Sequence, residues 1–398
     1  MKIPVSWKLY RFDEIADIVN GQVDPKETKY QGVYQISSEN IESGTGKIVE
    51  KITVGEKQII SGNYLFDENM IVYSKIRPNL NKVCAPNFKG LCSADIYPIL
   101  PKTKIVSKKF LFQIMLSEFF LKQAIEASMR TGIPKINRDD LGMINIIVPI
   151  DIRMQDHITD ILMAFDSVIE KTEQLTQLKE KYKKGLMQSF FEKSNIKGCI
   201  KVLMSDVLSL VKREHDGKDI LPILSVTTEK IMLQSDYFNK RIANKNTSGY
   251  LIVKKDEIAM SGLNFWMGSI HKQNLVDAGI ISPAYKVFSI NENKADKEYF
   301  SYFIKTDKMK RILISSSVQG ASIVRRNFDL ESFMSYHIKL HNLQEQKEIG
   351  VLLSTMDKEI ELIKQRVMLL KLQKKGLMQQ LLTGKIRAKA DEEKKNAK

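Results

Sequence analysis

The chain has 398 residues, more than one core usually serves, so two or more domains are expected. With 43% hydrophobic and 27% charged residues it is neither globally disordered nor collagen-like. Lys and Arg outnumber Asp and Glu by 62 to 47, a formal net charge of +15, which favours a polyanionic partner: DNA, RNA or an anionic lipid surface.

Cys84, Cys92 and Cys199 carry no CxxC spacing, which argues against a disulfide scaffold or structural zinc and fits a reducing cytoplasm. The start of the sequence lacks an apolar signal segment and no run of 18 apolar residues occurs, so no membrane partner is expected. His157, His215, His271, His337 and His341 form no ligand spacing, and no metal site is expected.

In chain order, residues 1–150 look mixed. Strand-like runs at Met70–Tyr73 and Asp95–Leu100 precede helical patterns beginning at Phe110 and Phe119. Residues 151–193 read as a long helix whose apolar positions Ile158, Leu162, Phe165 and Ile169 keep heptad spacing, then slip to Leu175, Leu178, Tyr182 and Leu186. Residues 194–341 are again mixed, with a strand-like run at Tyr285–Ile290 and helical patterns at Tyr299 and Met309. Residues 342–385 read as a second long helix, where Ile349, Leu353, Met356, Ile360, Ile363, Val367 and Leu370 form a heptad seam. Residues 386–398 are a polar tail.

The two helices are one element written twice. Lys183–Gln188 returns as Lys374–Gln379, an offset of 191 residues, and Gln155, Ile158, Leu162, Asp166 and Ile169 return as Gln346, Ile349, Leu353, Asp357 and Ile360. The expected fold is therefore α+β: two globular domains separated by two long antiparallel coiled-coil helices, with a pseudo-twofold internal repeat. Leu186, Met187, Leu377 and Met378, near the helix ends, complete the expected pairing set. Gly185 and Gly376 beside them permit either a close backbone approach or a break.

Four segments suit nucleic acid. Ser74–Lys82 offers Arg77, Asn79 and Asn81 for base edges and Lys75 and Lys82 for phosphates. Arg130, Lys135 and Asn137 flank a glycine-containing turn, as do Arg325 and Arg326 in the second half. The stretch Met260–Ser269 contributes Ser261 and Asn264, with Lys272 nearby. Structural turns and solvated loops remain the bland alternatives.

The Lys-Lys-Gly-Leu-Met-Gln helix ends, the tail Leu381–Arg387, and the openings Trp7–Leu9 with Phe12–Ile15 and Met204–Val207 resemble the specificity subunits of type I restriction-modification systems. The resemblance implies two target recognition domains reading the halves of a split double-stranded DNA target, with the helices as spacer. It also implies two methyltransferase subunits and further restriction-translocase subunits as partners. S-adenosylmethionine, ATP and Mg would belong to those partners, with no cofactor and no catalytic residue in this chain. Consistent with that, no GxxxxGK[ST], Asn-Pro-Pro-Tyr/Phe, HExxH, EF-hand or GxSxG pattern occurs. A protein-interaction scaffold that binds no DNA is the alternative, and a DNA enzyme without a recognisable motif is a third reading.

Overall fold

The computed structural model describes residues 3–128, 133–192, 198–237, 247–319 and 326–386. They divide into two compact units, residues 1–173 with 366–398, and residues 174–365. Each unit thus holds one globular head together with part of both long helices.

In the first unit the head opens on Trp7–Arg11, paired antiparallel with Asn145–Pro149, so its first and last strands close on each other. A four-stranded sheet follows in the order Ala16–Ile18, Ile96–Pro101, Ile71–Ser74, Val83–Cys84. A five-stranded sheet runs Gln22–Val23, Asn63–Phe66, Gly90–Ser93, Tyr34–Ile36, Ile52–Thr53. The helices Lys108–Leu116 and Glu118–Ser128 bury Phe110 against Trp7, and Phe120 against Phe12 and Tyr73. Ser107 caps the first of them, accepting from Phe110 N at 3.3 Å.

The second head repeats this plan. Ile200–Leu203 pairs with His337–Leu340, and the four-stranded sheet runs Leu208–Val211, Lys286–Ile290, Ile258–Met260, Ile270–Lys272. Helices Lys297–Phe303 and Asp307–Ser315 cover it with a core of Tyr299, Phe300, Phe303, Met309 and Phe288. The kinship of the heads, weak in sequence, is plain in strand order, because pairing constrains topology while leaving side chains free.

The long helices span Ile152–Met187, continued by a π turn at Gln188–Glu192, and Leu343–Leu381. Neither they nor any other helix among the described residues is long and apolar enough to cross a membrane. Within each unit the helix segments run antiparallel. In the first, Lys374 meets Asp166 at 2.6 Å and Lys371 meets Glu173 at 2.7 Å. In the second, Lys179 meets Glu359 and Lys364 meets Glu180, both at 2.7 Å, and Lys183 meets Asp357. The pairs Lys374–Asp166 and Lys183–Asp357 are repeat mates across the 191-residue offset.

Ile349, Leu353, Met356 and Ile360 are buried along the seam, and Ile363, Val367 and Leu370 are half-buried. On the first helix Ile158, Leu162 and Ile169 are buried and Phe165 is half-buried. The expected slip does not occur. Leu175, Leu178 and Tyr182 lie exposed at 44%, 64% and 62%, while the heptad continues through buried Thr176 and half-buried Lys179 and Lys183. Polar side chains hold the seam there because Glu359 and Asp357 on the facing helix neutralise the lysines.

Each helix ends by plugging a head. Phe191 joins the second core, with Leu186 and Met187 packed against that core, and Leu381 and Leu382 join the first, with Leu377 and Met378 packed against it. Gly185 and Gly376 mark neither a close approach nor a break: both lie inside a helix with open space where a Cβ would stand. Gly376→Ala should therefore stabilise the first unit by about 1 kcal/mol, read by thermal unfolding. A loss of stability would show that the position needs glycine for folding.

Candidate nucleic-acid interface

In the first head the central strand Ile71–Ser74 leads into residues 75–82, which make one 3-10 turn at Pro78–Leu80. Arg77 and Asn81 bracket it in left-handed conformations, φ 48° and 43°. Such backbone is costly for side-chain-bearing residues and persists where surrounding contacts hold it. Here the Arg77 N–H donates to Pro134 O at 2.8 Å and the Ile136 N–H to Lys75 O at 3.0 Å. On the other flank the Gly44 N–H donates to Asn81 O at 3.1 Å, and Ser43 Oγ donates to Leu80 O.

This bracing presents Arg77 and Asn79 to solvent, with Lys135 exposed on the strapped segment beside them. The other expected residues here make contacts within the head. Asn81 is buried and donates through Nδ2 to Leu116 O at 3.2 Å. Lys82 Nζ donates to Ser38 O at 2.6 Å, and Asn137 caps the helix Arg138–Gly142 by accepting from Asp140 N at 2.7 Å. Lys75 is half-buried, donates to Ala94 O, and lies 5.3 Å from the Tyr97 ring centre. Burial lowers its ammonium below the ordinary lysine range, and Lys135 and Arg138 push the same way.

Arg138 is a further cation packed behind this loop. Its guanidinium lies near the Tyr97 and Tyr64 rings, 4.8 and 5.8 Å away, and donates to the carbonyls of Ile18 and Val19. These partners are far apart in sequence, so no local pattern announces them.

The second head places its turn, Phe265–Met267, after the equivalent central strand Ile258–Met260. Asn264 is exposed, as are Leu263 and Met267. Ser261 is 1% exposed, and its Oγ accepts from the Leu263 and Asn264 N–H groups at 3.3 Å, which shapes the turn. The Lys272 side chain is 6% exposed and paired with the carboxylates of Asp256 and Glu298. Arg326 stands 5.6 Å from the Trp266 ring centre and donates to Ser317 Oγ at 3.0 Å. Arg130 and Arg325 lie outside the described residues. Among the described residues no group of three or more His, Cys, Asp or Glu side chains is placed to hold a metal.

Both heads thus offer the same device: a short turn after the middle of a four-stranded sheet, braced from behind, with a few side chains facing out. That arrangement is a duplicated one, the same plan in each half of the chain. Residues 4–180 and 209–372 match the family model described as the type I restriction modification DNA specificity domain, and the chain belongs to that family.

Over 98% of its length it is 24% identical to the MjaVIII specificity subunit of Methanocaldococcus jannaschii, covering 95% of that protein. Over 147 residues it is 40% identical to the EcoDI specificity subunit of Escherichia coli, a match spanning 32% of that protein. Its fold is similar to that of the HsdS subunit from Thermoanaerobacter tengcongensis, with TM-score 0.53, 18% identity and coverage of 97% of this chain and 99% of that one. The S subunit from M. genitalium gives TM-score 0.56 at 13% identity, covering 96% and 98% of the two chains.

Proposed function

We propose that this chain is the sequence-reading subunit of a type I restriction-modification assembly, binding a bipartite double-stranded DNA target and holding methyltransferase and restriction subunits over it. The observation that carries this is the pair of braced turns, one per head, at equivalent places in a chain of net charge +15. Arg77, Asn79 and Asn264 are the exposed side chains suited to base edges, and Lys135 and Arg326 are suited to phosphates. In this reading the chain does no chemistry itself. S-adenosylmethionine, ATP and Mg are used by the partner subunits, and the assembly works in the cytoplasm.

The test is to map N6-methyladenine across the host genome with the gene intact and deleted. Loss of methylation at one bipartite motif is expected. An unchanged methylome, with the methyltransferase partners expressed, would overturn the assignment.

A further inference from the structure

Two exposed apolar side chains share one turn of the second head: Leu263 at 66% and Met267 at 45%, with exposed Asn264 next to Leu263. The turn beneath them is rigidly held. Phe265 is fully buried and packs edge-on against Phe328, ring centres 5.0 Å apart. Gly262 lies so close to the neighbouring backbone that a Cβ there would stand 1.8 Å from the Ala284 carbonyl oxygen. Gly268 closes the turn at φ +97°. Single exposed leucines are ordinary, but two large apolar groups held outward on one braced turn cannot fold away into the core.

The equivalent turn of the first head differs in chemistry. Its outward residues are Arg77 and Asn79, and Leu80 is half-buried. Of the groups on the major-groove base edges, the C5 methyl of thymine is the apolar one, and aliphatic side chains read it by contact. Asparagine suits the N6 and N7 edge of adenine, which an A·T pair displays beside that methyl. Arg326, tethered to Ser317 and lying by Trp266, supplies positive charge near the turn.

We infer that Leu263 and Met267 read thymine methyl groups in the half-site taken by the second head, with Asn264 on an adjoining adenine edge. This rests on the DNA-reading assignment above.

The experiment uses the chain assembled with its methyltransferase partners, on a duplex carrying the bipartite motif found by methylation mapping. Each thymine is replaced in turn by deoxyuridine, which lacks only the C5 methyl. Replacement at one or more positions of one half-site should weaken binding roughly three- to fivefold per methyl. Leu263→Ser with Met267→Gln should abolish that sensitivity and leave the scan of the other half-site unchanged. Both positions face solvent, so the double variant is expected to fold normally.

Three outcomes overturn the inference while leaving the DNA-reading assignment intact: a flat scan with normal binding, a second half-site without thymine, or sensitivity that survives the double variant. If the wild-type assembly binds no bipartite duplex, both fall together.

Discussion

Gln346→Leu should cost the second unit about 3 kcal/mol of unfolding free energy, and Gln155→Leu should do the same to the first. Each glutamine is essentially fully buried at the entrance to a long helix. Gln155 Oε1 accepts from the Ser107 N–H at 2.8 Å, while its Nε2 donates to Ile105 O at 2.8 Å and Pro149 O at 2.9 Å. Gln346 Oε1 likewise accepts from the Asp296 N–H at 2.9 Å, and its Nε2 donates to His341 O at 2.8 Å and Lys294 O at 3.2 Å.

Ser107 and Asp296 are the N-caps of equivalent head helices, so one amide ties the helix entrance to the head at two levels. Leucine keeps the bulk and leaves one N–H and two carbonyls buried without partners, each worth about 1–3 kcal/mol in an unfavourable site. Glutamate should rescue neither position, because it keeps the acceptor and turns the two carbonyl contacts repulsive. Urea unfolding of the purified chain measures the effect. A shift below about 0.5 kcal/mol for leucine would mean that shape, not hydrogen bonding, holds the junction.

Arg77→Ala is expected to weaken cognate DNA binding by the assembled complex about ten- to hundredfold, with little change on unrelated DNA. The side chain is exposed and makes none of the contacts that brace its loop; those run through its backbone N–H to Pro134. Alanine inherits the same left-handed backbone, so stability should barely move. Lys135→Ala gives the contrasting signature: weaker binding to all sequences, and a salt slope shallower by about one. Titrations on cognate and scrambled duplexes at several salt concentrations separate the two. Equal loss on both duplexes from Arg77→Ala would make it a phosphate contact and remove it from base reading.

The outcome at the candidate site shows what local sequence can and cannot say. Pro78 and the flanking asparagines are turn-forming residues, and a turn stands at Pro78–Leu80. Among its polar residues, however, only burial distinguishes Arg77 and Asn79, which face out, from Asn81 and Lys82, which tie the loop to neighbouring segments. Lys272 carries the same lesson. A lysine near the turn in sequence is a candidate DNA contact, and only the fold brings Glu298, 26 residues away, against it. The apolar run Leu175, Leu178, Tyr182 drew the seam toward itself, yet the facing carboxylates kept Lys179 and Lys183 in the heptad instead.

The sequence by itself determined the duplication, the two long helices and the division into two unlike heads. Heptad spacing and an identical hexapeptide are properties of order along the chain, and they survive without coordinates. Tertiary structure alone decided that Leu381 and Leu382, from the far end of the sequence, complete the first head's core, and which polar side chains are spent on internal contacts. Both depend on which distant segments meet, and hydrophobic burial and hydrogen bonding fix that only when the whole chain is folded.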